Sequence, residues 1–351
     1  HNETGNYISA LANKYLTWEK MYELNVGLEY GFLNNRLAGE FAYYKRKSVD
    51  LIDLVYASGI GGSQIKIGNI GDMKAHGYEF SLNTINIMTD RFKWTTNLNF
   101  NYHKSEITKL EQSAQISEAV SNVGAGILGY PQKGIFSVRF AGLNEDGVPS
   151  FYDENGDIIY DIDFQSRDDV DKILKYEGPV EPKFYGGFSN NFTFYGFNLG
   201  INFVFKAGNV IRLDDAYSSS YNDYRSFPKE LKNRWILPGD EKVTSVPAIL
   251  DKRTYQKYSN VMAYEMYNKS TERIAKGDFI RLKDISLSYA LPAQVLKKTF
   301  IKNASLGFQV NNVWLLYSDK KLNGVDPEFF LSGGVSLPVS RMYSFSLNLG
   351  F

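Results

Sequence analysis

The chain has 351 residues and balances 39 Lys and Arg against 39 Asp and Glu, so its net charge of zero gives no electrostatic support for a nucleic-acid partner. It contains no cysteine, which excludes disulfides, thiol catalysis and cysteine-ligated zinc. Tyr and Phe are abundant, at 25 and 24 residues, yet no apolar run reaches the roughly 18 residues of a transmembrane helix.

The first elements in chain order are two strands joined by a short turn. Large apolar residues occupy every second position from 22 to 30, with polar residues or glycine between them, and this pattern predicts a strand with one apolar face. The Asn-Asn-Arg segment at 34–36 predicts a tight turn, because Asn tolerates positive φ. After the returning strand, a Gly-rich stretch predicts a long loop at about 48–73.

Three further hairpins and a last strand follow. Their strands are predicted over 78–82 and 92–102, over 184–194 and 197–205, and over 279–291 and 305–316. In the strand that begins at 279 the apolar phase slips by one residue, which predicts a β-bulge near Lys283 and Asp284. The alternating segment 343–351 ends on Phe351, and an aromatic-rich strand with a terminal Phe is typical of the last strand of an outer-membrane β-barrel.

The connections between these strands fall into two classes. Those after residues 30, 87, 194 and 291 are short, whereas long polar extracellular loops are predicted at about 48–73, 105–182, 207–277 and 317–340. Short periplasmic turns that alternate with long external loops indicate a transmembrane barrel. The predicted fold class is therefore all-β: a transmembrane antiparallel β-barrel that crosses the bacterial outer membrane many times.

The strand count carries a further prediction. About nine spanning strands is an odd number, whereas single-chain bacterial barrels have an even number. With the Phe351 end on the periplasmic side, the first strand must enter from outside. Residues 1–351 are therefore predicted to be the C-terminal segment of one larger barrel domain whose N-terminal strands are not in this chain. A miscounted strand is the alternative.

A possible calcium loop lies in the predicted loop at 105–182. Its candidate ligands are Asp153, Asn155, Asp157 and Asp161. These residues place oxygen atoms at positions one, three, five and nine, the spacing with which hard oxygen ligands wrap Ca²⁺. The match to the EF-hand is incomplete, since Ile158 and Phe164 occupy the positions of its Gly and its bidentate Glu. The alternative is an acidic, solvated turn, and no other cofactor is predicted.

Catalysis finds little support in the sequence, and the chain is predicted not to be an enzyme. The three His residues are not at metalloprotease spacing, and G-x-S-x-G is absent. Gly124, Gly126 and Gly129 match the dinucleotide fingerprint in spacing only, because Tyr130-Pro131 follows them in an all-β chain.

Aromatic residues cluster in the predicted loop at 207–277. They are Tyr217, Tyr221, Tyr224, Trp235, Tyr255, Tyr258, Tyr264 and Tyr267. Aromatic faces stack on sugar rings and also bind peptide backbones. The alternative is that the long loops pack against one another and against a partner protein, and no single loop residue is assigned to a ligand.

Short motifs recur in a defined order along nearly the whole chain. They are Leu16-Thr-Trp18-Glu19-Lys20, Asn34-Asn35-Arg36-Leu37, Asn69-Ile70-Gly71 with Gly77-Tyr78-Glu79, Tyr185-Gly186-Gly187-Phe188, Arg234-Trp235 with Pro238-Gly239-Asp240, the 277–287 segment Gly-Asp-Phe-Ile-Arg-Leu-Lys-Asp-Ile-Ser-Leu, and Asp326-Pro327-Glu328. Each motif is weak by itself. Their order and spacing resemble the C-terminal half of the SusC/RagA-like TonB-dependent outer-membrane transporters.

This resemblance implies a plugged barrel of about 22 strands. It also implies a SusD-like surface lipoprotein that covers the barrel, and energy from the TonB complex delivered through the missing N-terminal part. The implied function is active import of a nutrient oligomer, either an oligosaccharide or a peptide. Two alternatives remain: a β-rich surface module that binds glycans, such as a sandwich, and a passive porin without transport coupling.

Overall fold

The computed structural model describes residues 13–56, 65–167, 169–221, 224, 227–297, 299–330 and 340–351. The strands are β1 Lys20–Phe32, β2 Leu37–Tyr56, β3 Ile65–Met88, β4 Phe92–Leu110, β5 Gly134–Ser137, β6 Arg139–Leu143, β7 Pro149–Tyr152, β8 Ile158–Ile159, β9 Lys175–Pro179, β10 Phe184–Phe194, β11 Phe197–Ala207, β12 Val210–Arg212, β13 Ile274–Lys276, β14 Phe279–Ala290, β15 Asn303–Ser318 and β16 Met342–Gly350. The helices are α1 Ile116–Ala119, α2 Val170–Ile173, α3 Lys252–Lys257, α4 Ala263–Asn268 and α5 Ala293–Leu296, with 3-10 turns at Lys229–Asn233, Asp240–Lys242, Thr271–Arg273 and Lys320–Leu322.

Nine long strands form one antiparallel sheet in the order β1-β2-β3-β4-β10-β11-β14-β15-β16. Each strand pairs with the next long strand along the chain, which confirms the predicted up-and-down hairpins and, within the described residues, the predicted number of strands. The other sheets have two or three strands and lie within the long loops. The two large facing sheets of a sandwich are therefore not formed by the described residues, which argues against that alternative.

One face of the large sheet is apolar and exposed. Leu24, Val26 and Leu28 of β1 are 57–64% exposed. In-register pairing extends this face across the sheet, from Leu28 opposite Phe41 onward to Phe80 and Phe100. Side chains of this kind face lipid in a barrel wall.

An aromatic belt crosses the same face nearer the long loops. The rings of Tyr43 and Tyr78 are 5.3 Å apart, those of Tyr78 and Tyr102 are 6.0 Å apart, and those of Tyr102 and Phe184 are 5.2 Å apart. Aromatic side chains with polar tips concentrate at the membrane–water interface. The belt therefore marks the edge of the apolar band on the side of the long loops.

The opposite face of the sheet is polar. A row of small polar residues crosses it in register from Asn83 through Asn97, Ser189 and Asn202 to Asp284. Within the row, the Asn202 amide donates a hydrogen bond to the Asp284 carboxylate at 2.7 Å. A hydrogen-bonded polar face suits the wet interior of a barrel.

The predicted turns and the predicted bulge are both present. Asn34 and Asn35 have φ of 54° and 61°, and Tyr195 and Gly196 have φ of 45° and 86°. Asn202 pairs with Asp284 whereas the next residue, Phe203, pairs with Leu282, so Lys283 is the extra residue of a β-bulge.

The prediction of a long irregular loop at 48–73 is wrong for most of its length. β2 continues to Tyr56 and β3 begins at Ile65, and the two strands pair over this stretch; the glycines at 59, 61 and 62 lie outside the described residues. The ladder is interrupted only near Asp50, which has a φ of 59° and donates its N–H to the Asp72 carboxylate at 3.1 Å. In the sequence, Asp50 and Asp72 suggest the two ends of a loop. In the structure they stabilise a kink within a continuous hairpin.

The predicted loops at 105–182 and 207–277 fold into structures of their own. β4 extends to Leu110, so the first of them begins later than predicted. Both contain short strands and helices that pack around a shared apolar core. Among the described residues, no helix is long and apolar enough to cross a membrane.

Candidate functional site

Two long loops build one folded unit, which we call the loop subdomain and define as residues 111–182 and 208–277. The first loop contributes Ile116, Phe136 and Phe151 to its core, and the second contributes Met266 and Tyr267, all at most 3% exposed. Because one core is built from both loops, the buried residues of each loop lose part of their packing without the other. The candidate site is the space where this subdomain meets the barrel wall.

A buried arginine joins the two loops. Arg212 of β12 is 1% exposed and donates to the Phe136 carbonyl at 2.5 Å, to the Ser137 hydroxyl at 2.9 Å and to the Ser270 carbonyl at 3.4 Å. Burial lowers the pKa of its guanidinium to about 10, so the side chain remains a cation at neutral pH. Backbone carbonyls of both loops therefore depend on one side chain for their hydrogen bonds.

Packing accounts for several of the loop aromatics. Tyr217 and Tyr267 are 5% and 3% exposed, their rings meet edge to face at 5.0 Å, and the Arg273 guanidinium lies 4.8 Å from the Tyr217 ring. Burial raises the pKa of Tyr217 to about 12. The Tyr264 hydroxyl donates to the Ala248 carbonyl at 2.5 Å. The Tyr267 ring also lies 5.4 Å from Phe140 of the other loop, and both Tyr217 and Tyr267 belong to the shared core, so for these two residues the alternative that the loops pack against one another is confirmed. Tyr255 stays 46% exposed.

Two motifs that are far apart in the sequence meet at the bulged strand. Arg281 of β14 is 3% exposed and forms a bidentate ion pair with Asp326 at 2.6 and 2.7 Å. Its Nε lies 3.1 Å from the Glu328 carboxylate, close enough for an ion pair although the angles do not make a hydrogen bond. The Asn312 side chain also accepts a bond from Arg281, at 2.6 Å. The arginine therefore fixes the 319–330 segment to the barrel wall.

Both motifs are visible in the sequence, but a contact between them was not predicted. One signal was available: Arg281 is a charged residue within an apolar, alternating strand, two positions before the predicted bulge. Such a residue requires an acidic partner when it is buried. Asp326-Pro327-Glu328 is an acidic motif in the next long loop, and it supplies that partner.

A cavity of about 490 Å³ lies between β4 and the loop subdomain. His103 lines it on the barrel side, where its Nδ1 and the Tyr44 hydroxyl are hydrogen-bonded at 2.8 Å. Tyr130 and Tyr176 line it on the loop side, with ring centroids 4.8 Å apart, and burial raises the pKa of Tyr176 to about 12. Most of the lining lies in the predicted loop at 105–182, and no site was predicted there.

The four predicted calcium ligands lie in and after the turn between β7 and β8. The Asp153 carboxylate accepts hydrogen bonds at 2.8 Å from the backbone N–H groups of Asn155 and Asp157. These bonds hold the pKa of Asp153 below its ordinary value, the bond from Asp157 most of all. Asp161 follows β8, and its carboxylate accepts a hydrogen bond at 2.9 Å from the backbone N–H of Ile162. In the described part of the chain, no three His, Cys, Asp or Glu residues are grouped as a metal site.

Solved structures of similar architecture cover the whole chain. A chain in "Structure of the RagAB peptide transporter" matches with a TM-score of 0.79, 25% identity, and coverage of 100% of this chain and 37% of that chain. A chain of the RagAB peptide importer in the 'closed-closed' state matches with a TM-score of 0.76 at the same identity, and covers 98% of this chain.

Curated relatives give the same relationship. TonB-dependent receptor P3 of Formosa agariphila is 26% identical over 344 residues, which is 92% of this chain and 32% of the relative. TonB-dependent receptor SusC of Bacteroides thetaiotaomicron is 33% identical over 170 residues, 47% of this chain and 17% of the relative. The chain thus spans about a third of the length of the Formosa relative.

The model of the TonB dependent receptor-like β-barrel family matches residues 2–313, which include eight of the nine strands of the large sheet for all or most of their length. The all-β barrel fold and the resemblance to SusC/RagA-like transporters are thereby confirmed. The chain belongs to the TonB-dependent receptor β-barrel family.

Proposed function

We propose that this chain forms part of a transporter that imports a nutrient oligomer, an oligosaccharide or a peptide, across the bacterial outer membrane with energy from the TonB complex. The strongest support is the similarity over 98–100% of the chain to structures entitled RagAB peptide transporter and importer. The lipid-facing and polar faces of the sheet fit a barrel wall, and the polar face provides a wet path.

The partners belong to the same proposal. A SusD-like surface lipoprotein covers the external end of the barrel, where the long loops lie. The N-terminal portion of the same barrel supplies the remaining strands of about 22, the plug and the contact with TonB. A passive porin differs from this transporter in needing no TonB, and this difference makes the two functions separable by experiment.

The composition of the complex is the first test. The chain is affinity-purified from detergent-solubilised outer membranes, and its partners are identified by mass spectrometry. The proposal expects peptides from upstream barrel strands and a plug, together with a surface lipoprotein. Recovery of this chain alone, at its own mass, contradicts the proposal.

Energy coupling is the second test. Uptake of labelled oligosaccharides and peptides is compared between cells with and without functional TonB, and in cells treated with a proton uncoupler. Active import requires both TonB and the proton gradient. Uptake that continues in their absence identifies a porin instead.

A further inference from the structure

The barrel wall and the loop subdomain meet along the outer end of β4. Pairing of β10 with β4 stops at Phe184 opposite Tyr102, so β4 has a free edge beyond that point. The loops contact this edge at two places. The His103 N–H donates to the Lys183 carbonyl at 2.9 Å, and the Ile107 N–H donates to the Tyr130 carbonyl at 2.9 Å.

Ser105 lies midway between these two contacts. Pairing of β4 with β3 is regular here, with Ala75 opposite Ser105, and alternate residues of a strand direct their backbone groups to the same edge. The N–H and C=O of Ser105 therefore point the same way as those of His103 and Ile107. Within the described ranges, neither group has a hydrogen-bond partner on that edge.

The cavity of about 490 Å³ occupies this gap in the ladder. Its far side is framed by residues 129–133 and 179–183, which are joined by the Val180 N–H donating to the Lys133 carbonyl at 3.0 Å. The chain thus leaves the β4 edge at Tyr130 and rejoins it at Lys183. The gap extends over four residue steps, roughly 13 Å, which is room for about three extended residues.

The lining of the gap has a definite chemistry. Tyr130, Tyr176 and Pro179 give it an apolar wall on the loop side. Lys104 and Lys183 also line it, and neither has an ion-pair partner among the described residues. Glu106 and Glu181 line the gap as well, and they pair with Lys74 at 3.1 Å and with Lys133 at 3.4 Å. The backbone of Ser105 thus offers one donor and one acceptor at strand spacing, and Lys104 and Lys183 are the lining lysines without an ion-pair partner in the described ranges.

We propose that this gap binds an extended peptide segment of about three residues by antiparallel β-strand addition to Ser105, with the ligand carboxylate near Lys183. This inference rests on the proposed import function and names peptide as the substrate class. Sugar hydroxyl groups can donate and accept, but a sugar ring does not hold an N–H and a C=O at strand spacing, so an extended peptide matches the Ser105 pair better. The apolar wall accommodates the side chain of the bound residue.

The test uses the whole detergent-solubilised transporter and trialanine as the probe, with calorimetry as the readout. Trialanine is compared with an analogue that carries an N-methyl group on the amide nitrogen of its second residue. That nitrogen can no longer donate a hydrogen bond to the Ser105 carbonyl. Loss of one such pairing is expected to weaken binding about tenfold. This comparison uses only the unaltered protein, so its result does not depend on whether a variant folds.

A Ser105→Pro variant localises the effect. Its N–H points away from β3, so proline removes the donor to the ligand and leaves the β3 ladder intact. We expect about tenfold weaker trialanine binding, because the Ser105 N–H no longer donates to a ligand carbonyl. Proline keeps the Ser105 carbonyl, so N-methylation removes the second bond of the same pair, and the two losses should be coupled. Ser105→Ala keeps the N–H, so its affinity should stay within about twofold and thereby separate backbone from side-chain effects.

Three results overturn the inference. They are no heat with millimolar trialanine, equal binding of the N-methylated analogue, or unchanged trialanine affinity in Ser105→Pro. If another segment of the whole protein occupies the β4 edge, trialanine also fails to bind, and the inference is overturned in that case too. TonB-dependent uptake of an oligomer that persists alongside any of these results leaves the proposed function standing and removes only this site.

Discussion

Removal of the Asp326 carboxylate should release the 319–330 segment from the barrel wall. In Asp326→Ala the buried Arg281 loses both of its shortest ion-pair contacts, at 2.6 and 2.7 Å, and keeps Glu328 and Asn312. Breaking a buried pair from one side costs about 3–5 kcal/mol. Because two partners remain, we expect the lower end, about 3 kcal/mol, or roughly a 150-fold rise in local opening.

Hydrogen exchange, followed by mass spectrometry on the detergent-solubilised protein, measures this opening directly. The affected peptides should cover 319–330, where Leu322 is 1% exposed and packs on Ile211 and Ala275. The matched control is Asp90→Ala, which removes an exposed carboxylate from the turn between β3 and β4 and should change nothing. Exchange of 319–330 within about twofold of the unaltered protein would refute the argument.

A double variant tests whether the cost arises from the unpaired charge. Arg281→Met with Asp326→Leu removes both charges and keeps apolar volume at the site. Replacement of a buried ion pair by apolar residues is often neutral. The double variant should therefore protect 319–330 better than Asp326→Ala alone. Equal or faster exchange in the double variant would show that the directional hydrogen bonds, rather than the stranded charge, hold the segment.

Three further predictions concern the loop subdomain. Hydrogen bonds from Lys257 and, to a lesser extent, Tyr258 hold the pKa of Asp146 below its ordinary 3.8. The stability that these bonds add is therefore present above pH 3.8 and is lost as the pH falls through the lowered pKa. Trp235 fluorescence should change over that pH range, and an unchanged signal in acid would contradict the stabilising role of Asp146. Gly147→Ala should destabilise the same region, because φ is +72° and the added Cβ would lie 2.5 Å from the Trp235 ring; greater protease resistance than in the unaltered protein would contradict this. Calcium binding at 153–161 stays a prediction: calorimetry should show heat at millimolar Ca²⁺ that Asp153→Ala removes, and no heat at that concentration dismisses the site.

The barrel wall could be predicted because the membrane imposes one rule on every strand. Apolar residues must face lipid and polar residues the lumen, so a period of two persists along the chain. The same rule made a defect visible: the apolar phase slips at Lys283, and the structure has its bulge there. The prediction failed at Asp50, where local turn chemistry suggested a loop but the strands continued to Tyr56 and Ile65.

The loop subdomain could not be predicted, because its core has no local period. Ile116 and Phe151 pack with Met266 and Tyr267 from a loop more than 100 residues away in the chain, with β10 and β11 between them. The strands within it have two to five residues, too short for alternation to be recognised. The free edge at Ser105 likewise depends on where the neighbouring segments leave the sheet, and this cannot be predicted from the residues of β4 alone.

The packing of the loops changes what their tyrosines can do for a ligand. In the sequence, clustered tyrosines suggest stacking surfaces for sugars or peptides. In the structure Tyr217 and Tyr267 face each other in the core, so a sugar ring cannot reach them without unfolding the subdomain. Recognition at this end of the barrel must then use groups left open by the fold. At the β4 gap these include the Ser105 backbone, the Tyr130 and Tyr176 wall and two unpaired lysines, and under the proposed β-strand addition the backbone pair favours a peptide over a glycan.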